Sequence, residues 1–112
     1  MNLTPNEAAS KLIVASDTLR LLIDEMTELD GEHLRAKRVY ELAFAHVFRQ
    51  SEGSVELRKY TATEQTRHER EVMDEAARQL RHHQEQVRWI KTDIEVWRTV
   101  TATLRDEWKA SA

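Results

Sequence analysis

The sequence predicts an all-α protein: a three-helix protomer whose long, coiled-coil-like C-terminal helix makes it oligomeric. Three observations carry that expectation. Over 73–108 the residues Met73, Ala76, Leu80, His83, Val87, Ile90, Ile94, Trp97, Thr101, Leu104 and Trp108 recur at alternating intervals of three and four. That is a 3.5-residue repeat, the seam of a coiled coil rather than the wider apolar face of a globular helix. No Gly or Pro follows Gly53, so nothing breaks a helix from there to the end. Finally, 33% of residues are charged and only 6% aromatic, with two Gly and one Pro in 112 residues, a mixture suited to few turns and long helices.

The first helix is expected over residues 5–29. Thr4 stands as N-cap, Pro5 takes the favoured first position and Glu7 completes a capping box. Leu12, Ala15, Leu19, Leu22, Ile23, Met26 and Leu29 then follow at threes and fours. Asp30-Gly31 reads as a stop, with a mid-helix kink as the alternative. The second helix is expected over 32–50, with Leu34, Val39 or Tyr40, Ala43, Phe44, Val47 and Phe48 on a broad apolar face. Ser51-Glu52-Gly53-Ser54 ends it, Gly53 supplying the left-handed residue. Residues 54–60 form a connector. The alternation of Val55, Leu57 and Lys59 favours an extended segment, while Ser54 as N-cap would begin the next helix early. The third helix is expected over 61–108, opened by Thr61 with Glu64 three residues on. At about 1.5 Å per residue it is about 70 Å long, too long for a single globule of this size. It must pack on other helices of the chain, on copies of itself, or both.

The chain reads as a single domain, 1–112. Cysteine is absent, which excludes a disulfide framework and a thiolate metal site. No apolar run reaches the length of a signal peptide or of the roughly 20 residues that span a membrane, and the expectation is a cytoplasmic protein with no membrane role. The net charge of −3 conceals a gradient. Residues 1–34 carry two basic groups against seven acidic, a balance of −5; residues 35–67 carry seven against four, +3; residues 68–112 carry eight against nine, −1.

Catalytic signatures are missing. There is no Cys nucleophile, Gly-rich phosphate loop or nucleophile elbow. Of the five histidines, His33 and His46 are thirteen apart, His68-Glu69 does not continue as a zinc-protease motif, and the adjacent His82 and His83 point about 100° apart on a helix. Carboxylates are spread among Arg and Lys at helical spacing. The expectation is a protein that is not an enzyme and holds neither metal nor cofactor. His83 lies on the seam, where a polar residue sets register or oligomer number; the plainer reading is a seam-edge histidine. The oligomer contacts would be Leu80, His83, Val87, Ile90, Ile94, Trp97, Leu104 and Trp108. Trp89 borders that seam, placed to pack on the first helix or on a neighbouring protomer.

The basic middle carries the nucleic-acid reading. Arg35, Lys37, Arg38, Arg49, Arg58, Lys59 and Arg67 flank Tyr40 and Tyr60. Cations that follow phosphates and rings that stack on bases are what single-stranded DNA needs. The plainer reading is solubilising groups beside a buried Tyr.

The order of these features is a pattern in itself: an apolar helix, a basic and aromatic helix (Arg35 and Arg49 near its ends), a Gly-containing loop, the Arg58-Lys59-Tyr60 connector, and a long polar-then-apolar helix ending in Trp and Leu. Over about residues 34–108 it resembles the UvsY-like phage recombination mediators. That resemblance implies a ring-like homo-oligomer that binds single-stranded DNA and helps to load a RecA-type recombinase as the single-strand binding protein is displaced. By position it implies Lys37, Arg38, Arg58, Lys59 and Arg67 as DNA contacts. The alternative is a helical interaction, assembly or inhibitor protein of phage type with no nucleic-acid role, docking a partner helix on its seam.

Overall fold

The structure, a computed structural model, describes residues 3–111. Among these it consists of three α-helices: α1 (Pro5–Gln50), α2 (Val55–Gln65) and α3 (Arg67–Ser111). The helices assemble as two compact units, one formed by the chain up to Glu25 together with His83 onward, the other by Met26–His82.

α1 begins as its sequence dictates, the Glu7 N–H donating to Thr4 Oγ1 at 3.2 Å. It does not end at residue 29. The two helices expected over 5–29 and 32–50 are one helix of 46 residues, and Gly31 lies inside it with helical geometry. The reason lies in the pattern of sheltered positions. Ala8, Leu12, Ala15, Leu19, Leu22 and Met26 are buried or half-buried, and so are Leu29, His33, Ala36, Tyr40, Ala43 and Val47. The alternation of threes and fours crosses Gly31 without a phase change. A continuous seam outweighs the cost of about 1 kcal/mol for one glycine in a helix interior.

The chain reverses over residues 51–54. Gly53 is the one described residue with positive φ, 107°, and a Cβ there would stand 2.8 Å from Leu57 Cδ2. Ser54, in extended geometry, then caps α2: its Oγ accepts from the Leu57 N–H at 3.2 Å. The extended connector expected over 54–60 is therefore helical, because the serine after a left-handed glycine is well placed to satisfy the orphan donors of a helix start. Thr61 caps nothing; its hydroxyl donates to the Leu57 carbonyl inside α2 at 3.0 Å.

One break separates α2 from α3. Thr66 has φ −108° and ψ 20°, and both its N–H (3.1 Å) and its Oγ1 (2.6 Å) donate to the Ala62 carbonyl. Thr18, Thr61, Thr92 and Thr99 make the same hydroxyl bond to the carbonyl four residues earlier inside unbroken helices, so that bond alone does not account for the break. The interruption lasts one residue, since the Arg70 N–H already bonds to the Thr66 carbonyl. Thr66 and Ala62 are both fully buried within their unit.

α3 keeps the predicted seam. Leu80, Val87, Ile94 and Thr101, seven apart, are its most buried positions, while Met73, Ala76, His83, Ile90, Trp97 and Leu104 are half-buried between them. In the first unit the start of α1 runs antiparallel to the end of α3. Thr4, Pro5 and Asn6 share a cleft with Arg105, Trp108 and Lys109, and at the other end Glu25 Oε2 meets His83 Nε2 at 2.8 Å. In the second unit α2 folds back on the end of α1, so that His46, Val47 and Gln50 share a cleft with Thr61 and Gln65.

Candidate interaction surfaces

The eight residues expected to contact nucleic acid all fall in the second unit, and the structure divides them. Arg58 is committed to the fold. Its Nε and Nη2 both donate to the Phe48 carbonyl, at 3.1 and 3.0 Å, and its guanidinium carbon stands 4.2 Å above the centre of the Phe48 ring. It thereby closes the last turn of α1, satisfying a carbonyl with no helical partner. Tyr40 belongs to an aromatic row along α1, 6.1 Å from Phe44, which is 6.4 Å from Phe48. Arg67 is held by both carboxylate oxygens of Glu64, at 2.9 and 2.7 Å, and Lys37 lies 3.9 Å from Glu41. Arg38, Arg49, Lys59 and Tyr60 are exposed, Tyr60 to 65%. Glu52 and Glu56 lie among them in sequence, and against Arg49, Arg58 and Lys59 they leave a balance of only +1 over 49–59, so the positive field near the turn is weak.

The positions expected to join copies of the chain are largely used within it. Val87 and Ile94, each 6% exposed, are core residues of the first unit and Leu80 is one of the second; His83, Ile90, Trp97 and Leu104 are half-buried. Trp108 is 64% exposed, so the sheltered seam stops at Leu104. The remaining histidines and carboxylates make no constellation: among the described residues no group of three could hold a metal ion. One charged cluster is fixed on the surface of α3, where Arg78 grips Glu75 at 2.6 and 2.9 Å and Gln79 adds a third bond at 3.1 Å. The hydrogen bonds from Arg78, then Gln79, hold the Glu75 carboxyl below the usual glutamate range, and Glu75 in turn raises Arg78. No helix among the described residues is long and apolar enough to cross a membrane.

What the sequence reading missed lies on the outer faces. On α1, Ile13, Val14 and Leu21 each leave about two-thirds of their surface exposed. On α3, Trp89 is 71% exposed, not packed on α1, and Val96 is 52% exposed. Trp89, Thr92, Val96, Thr99 and Thr103 step by three, four, three and four, all exposed and all uncharged. At 100° per residue this second stripe sits roughly 160° round the helix from the first. The same arithmetic that identifies the inner seam locates it, once threonine is counted by its methyl group.

The fold and its surfaces define a class: an all-α protein of long paired helices, with apolar stripes both inside and outside the pairing. No family model matches the chain, and neither a curated protein nor a solved structure resembles it.

Proposed function

We infer that the chain is a non-catalytic interaction protein, which works by packing the outer faces of its long helices against other helices. One observation supports this above all. After both inner seams are complete, large apolar side chains still project outward from α1 (Ile13, Val14, Leu21) and α3 (Trp89, Val96). In a chain one-third charged, such residues gathered on the outer faces of paired helices mark contact surfaces. The α1 face is followed directly by five acidic residues without a base, Asp24, Glu25, Glu28, Asp30 and Glu32. It therefore suits a partner helix with an apolar stripe flanked by Lys and Arg, in the helix-in-groove manner.

The test replaces Val14 and Leu21 together with glutamate. Both are exposed, so helix content by circular dichroism should hold, while host or phage proteins captured by the parent should be lost. A variant that captures the same proteins at the same level overturns the assignment.

A second reading, the single-stranded DNA mediator, rests on exposed Tyr60 beside Lys59, with Arg38 and Arg49 in the same unit. It requires oligonucleotide binding that weakens steeply with salt and is lost when Arg38, Arg49 and Lys59 are changed to glutamate. In that case a RecA-type recombinase and the single-strand binding protein become the partners to test.

A further inference from the structure

We propose that the flank of α3 from Arg88 to Lys109 binds the phosphate backbone of a single-stranded nucleic acid, with the Trp108 ring stacking on a base. This face carries none of the residues of the interaction-protein reading above. It shares a ligand with the second reading but none of its residues, so each can fail alone.

The flank follows the seam. Residues 88, 91, 95, 98, 102, 105 and 109 each come one after a seam position of α3, so they keep its three-and-four spacing about 100° round the helix. Five of the seven are Arg88, Lys91, Arg98, Arg105 and Lys109, and all seven are exposed. These five are every Lys and Arg of residues 83–111. Of the five acidic residues in that span only Glu95 falls on the line; Glu85, Asp93, Asp106 and Glu107 fall off it. Five bases against one acid give +4 over 21 residue steps, about 31 Å of helix. None of the five cations is in a salt bridge among the described residues. Charges more than about 10 Å away are screened at 0.1 M salt, so the −3 of the whole chain does not cancel this stripe.

The chemistry of the stripe selects its ligand. Besides charged groups it holds only Ala102. A partner helix laid along it would bury little apolar surface and would depend on exposed ion pairs, which stabilise little. A polyanion needs no apolar contact, because each neutralised phosphate releases condensed counterions and binding follows from charge alone. The end of the stripe adds a ring. Arg105 and Lys109 share a cleft with Trp108, opposite Thr4, Pro5 and Asn6. Trp108 continues the seam but is left 64% exposed. An exposed ring beside two cations can take an unpaired base on its face while the cations follow the phosphates. A duplex, whose bases are already stacked on one another, offers it none.

The experiment is fluorescence anisotropy of a labelled oligo(dT) strand titrated with the full chain at two salt concentrations. The parent is expected to bind, and five phosphate contacts should weaken it about 100-fold between roughly 50 and 200 mM salt. Lys91→Gln with Arg98→Gln should lower the log–log salt slope by about 1.4. Lys91→Glu with Arg98→Glu should abolish binding, and both variants should keep helical circular dichroism. Trp108→Ala should weaken binding about tenfold at either salt, and Val14→Glu with Leu21→Glu should bind like the parent. No binding by the parent at the lower salt, or an unchanged slope in the glutamine variant, overturns the proposal. So does displacement of the strand by poly-glutamate at an equal concentration of charge, which would assign the stripe to an acidic protein. Tighter binding of a duplex, or full affinity after Trp108→Ala, would overturn the contact with a base. Binding lost on changing Arg38, Arg49 and Lys59 to glutamate, but kept in both Lys91 and Arg98 variants, would move the strand to the turn and overturn the stripe.

Discussion

Replacing Gly31 with alanine should stabilise the protein. In the structure Gly31 lies inside α1 with helical geometry, and a Cβ there meets only the tip of Arg35, Nη1 at 3.4 Å, a flexible side chain that can move. Alanine then gains the helix-propensity difference and reduces the entropy of the unfolded chain, together about 0.5–1 kcal/mol. With an unfolding entropy of about 2.1 cal/mol/K per residue, that is a rise in Tm of about 2–4 °C for a chain of this length. A thermal melt followed by circular dichroism reads it directly. The same substitution at Gly53 is the internal contrast. Its φ of 107° and the 2.8 Å approach to Leu57 Cδ2 make any Cβ costly, and about 1–2 kcal/mol should be lost. If Gly31→Ala lowers Tm by several degrees, residue 31 is not helical, α1 is two helices, and the continuous seam argument fails with it.

Two further predictions follow from the packing. Arg58→Ala removes a forked pair of hydrogen bonds and the stacking on Phe48, and should cost about 2 kcal/mol in urea unfolding; Arg58→Lys should not restore it, because an ammonium cannot reproduce the fork. A lysine variant as stable as the parent would show that charge alone suffices. Along the seam, Ile94→Ala should cost about 2–4 kcal/mol and half-buried Ile90→Ala clearly less; equal losses would contradict the alternation of buried and half-buried positions.

Periodicity made the seam of α3 legible, because Leu80, Val87 and Ile94 lie on one line whatever they pack against. The start of α1 was legible too, since Thr4 and Glu7 act on their immediate neighbours. Two local signals misled where a longer pattern prevailed. Asp30-Gly31 has the composition of a helix end, yet the phase from Leu29 through His33 and Ala36 to Tyr40 is unbroken. Thr61 and Glu64 spell a capping box, yet Ser54 had already capped a helix seven residues earlier. The break at Thr66 carries no glycine or proline, and its hydroxyl bond to the Ala62 carbonyl is one that Thr18, Thr92 and Thr99 make without a break, so nothing in the residue type announces it. Arg58 was grouped with the DNA candidates because charge is visible in sequence. Its bond to a carbonyl ten residues back exists only once the chain has reversed.

The outer stripe of α3 extends that lesson from residue types to atoms. Thr92, Thr99 and Thr103 count as polar on any residue scale, so the run from Trp89 to Thr103 reads as a solvated face interrupted by two apolar side chains. A threonine in a helix can give its only donor to the carbonyl four residues before it, as Thr92 and Thr99 do. Covering such a residue with a neighbouring helix then strands no hydrogen-bond donor, and the usual penalty of about 1–3 kcal/mol for a buried unsatisfied group falls away. The same back-bonding recurs on α1, where Thr18 Oγ1 donates to the Val14 carbonyl at 2.9 Å beside the exposed Val14 and Leu21. A chain of this composition can thus stay hydrated while alone and still offer its outer faces for helix packing. The surface that looks least committed in the sequence is the one best prepared to be covered.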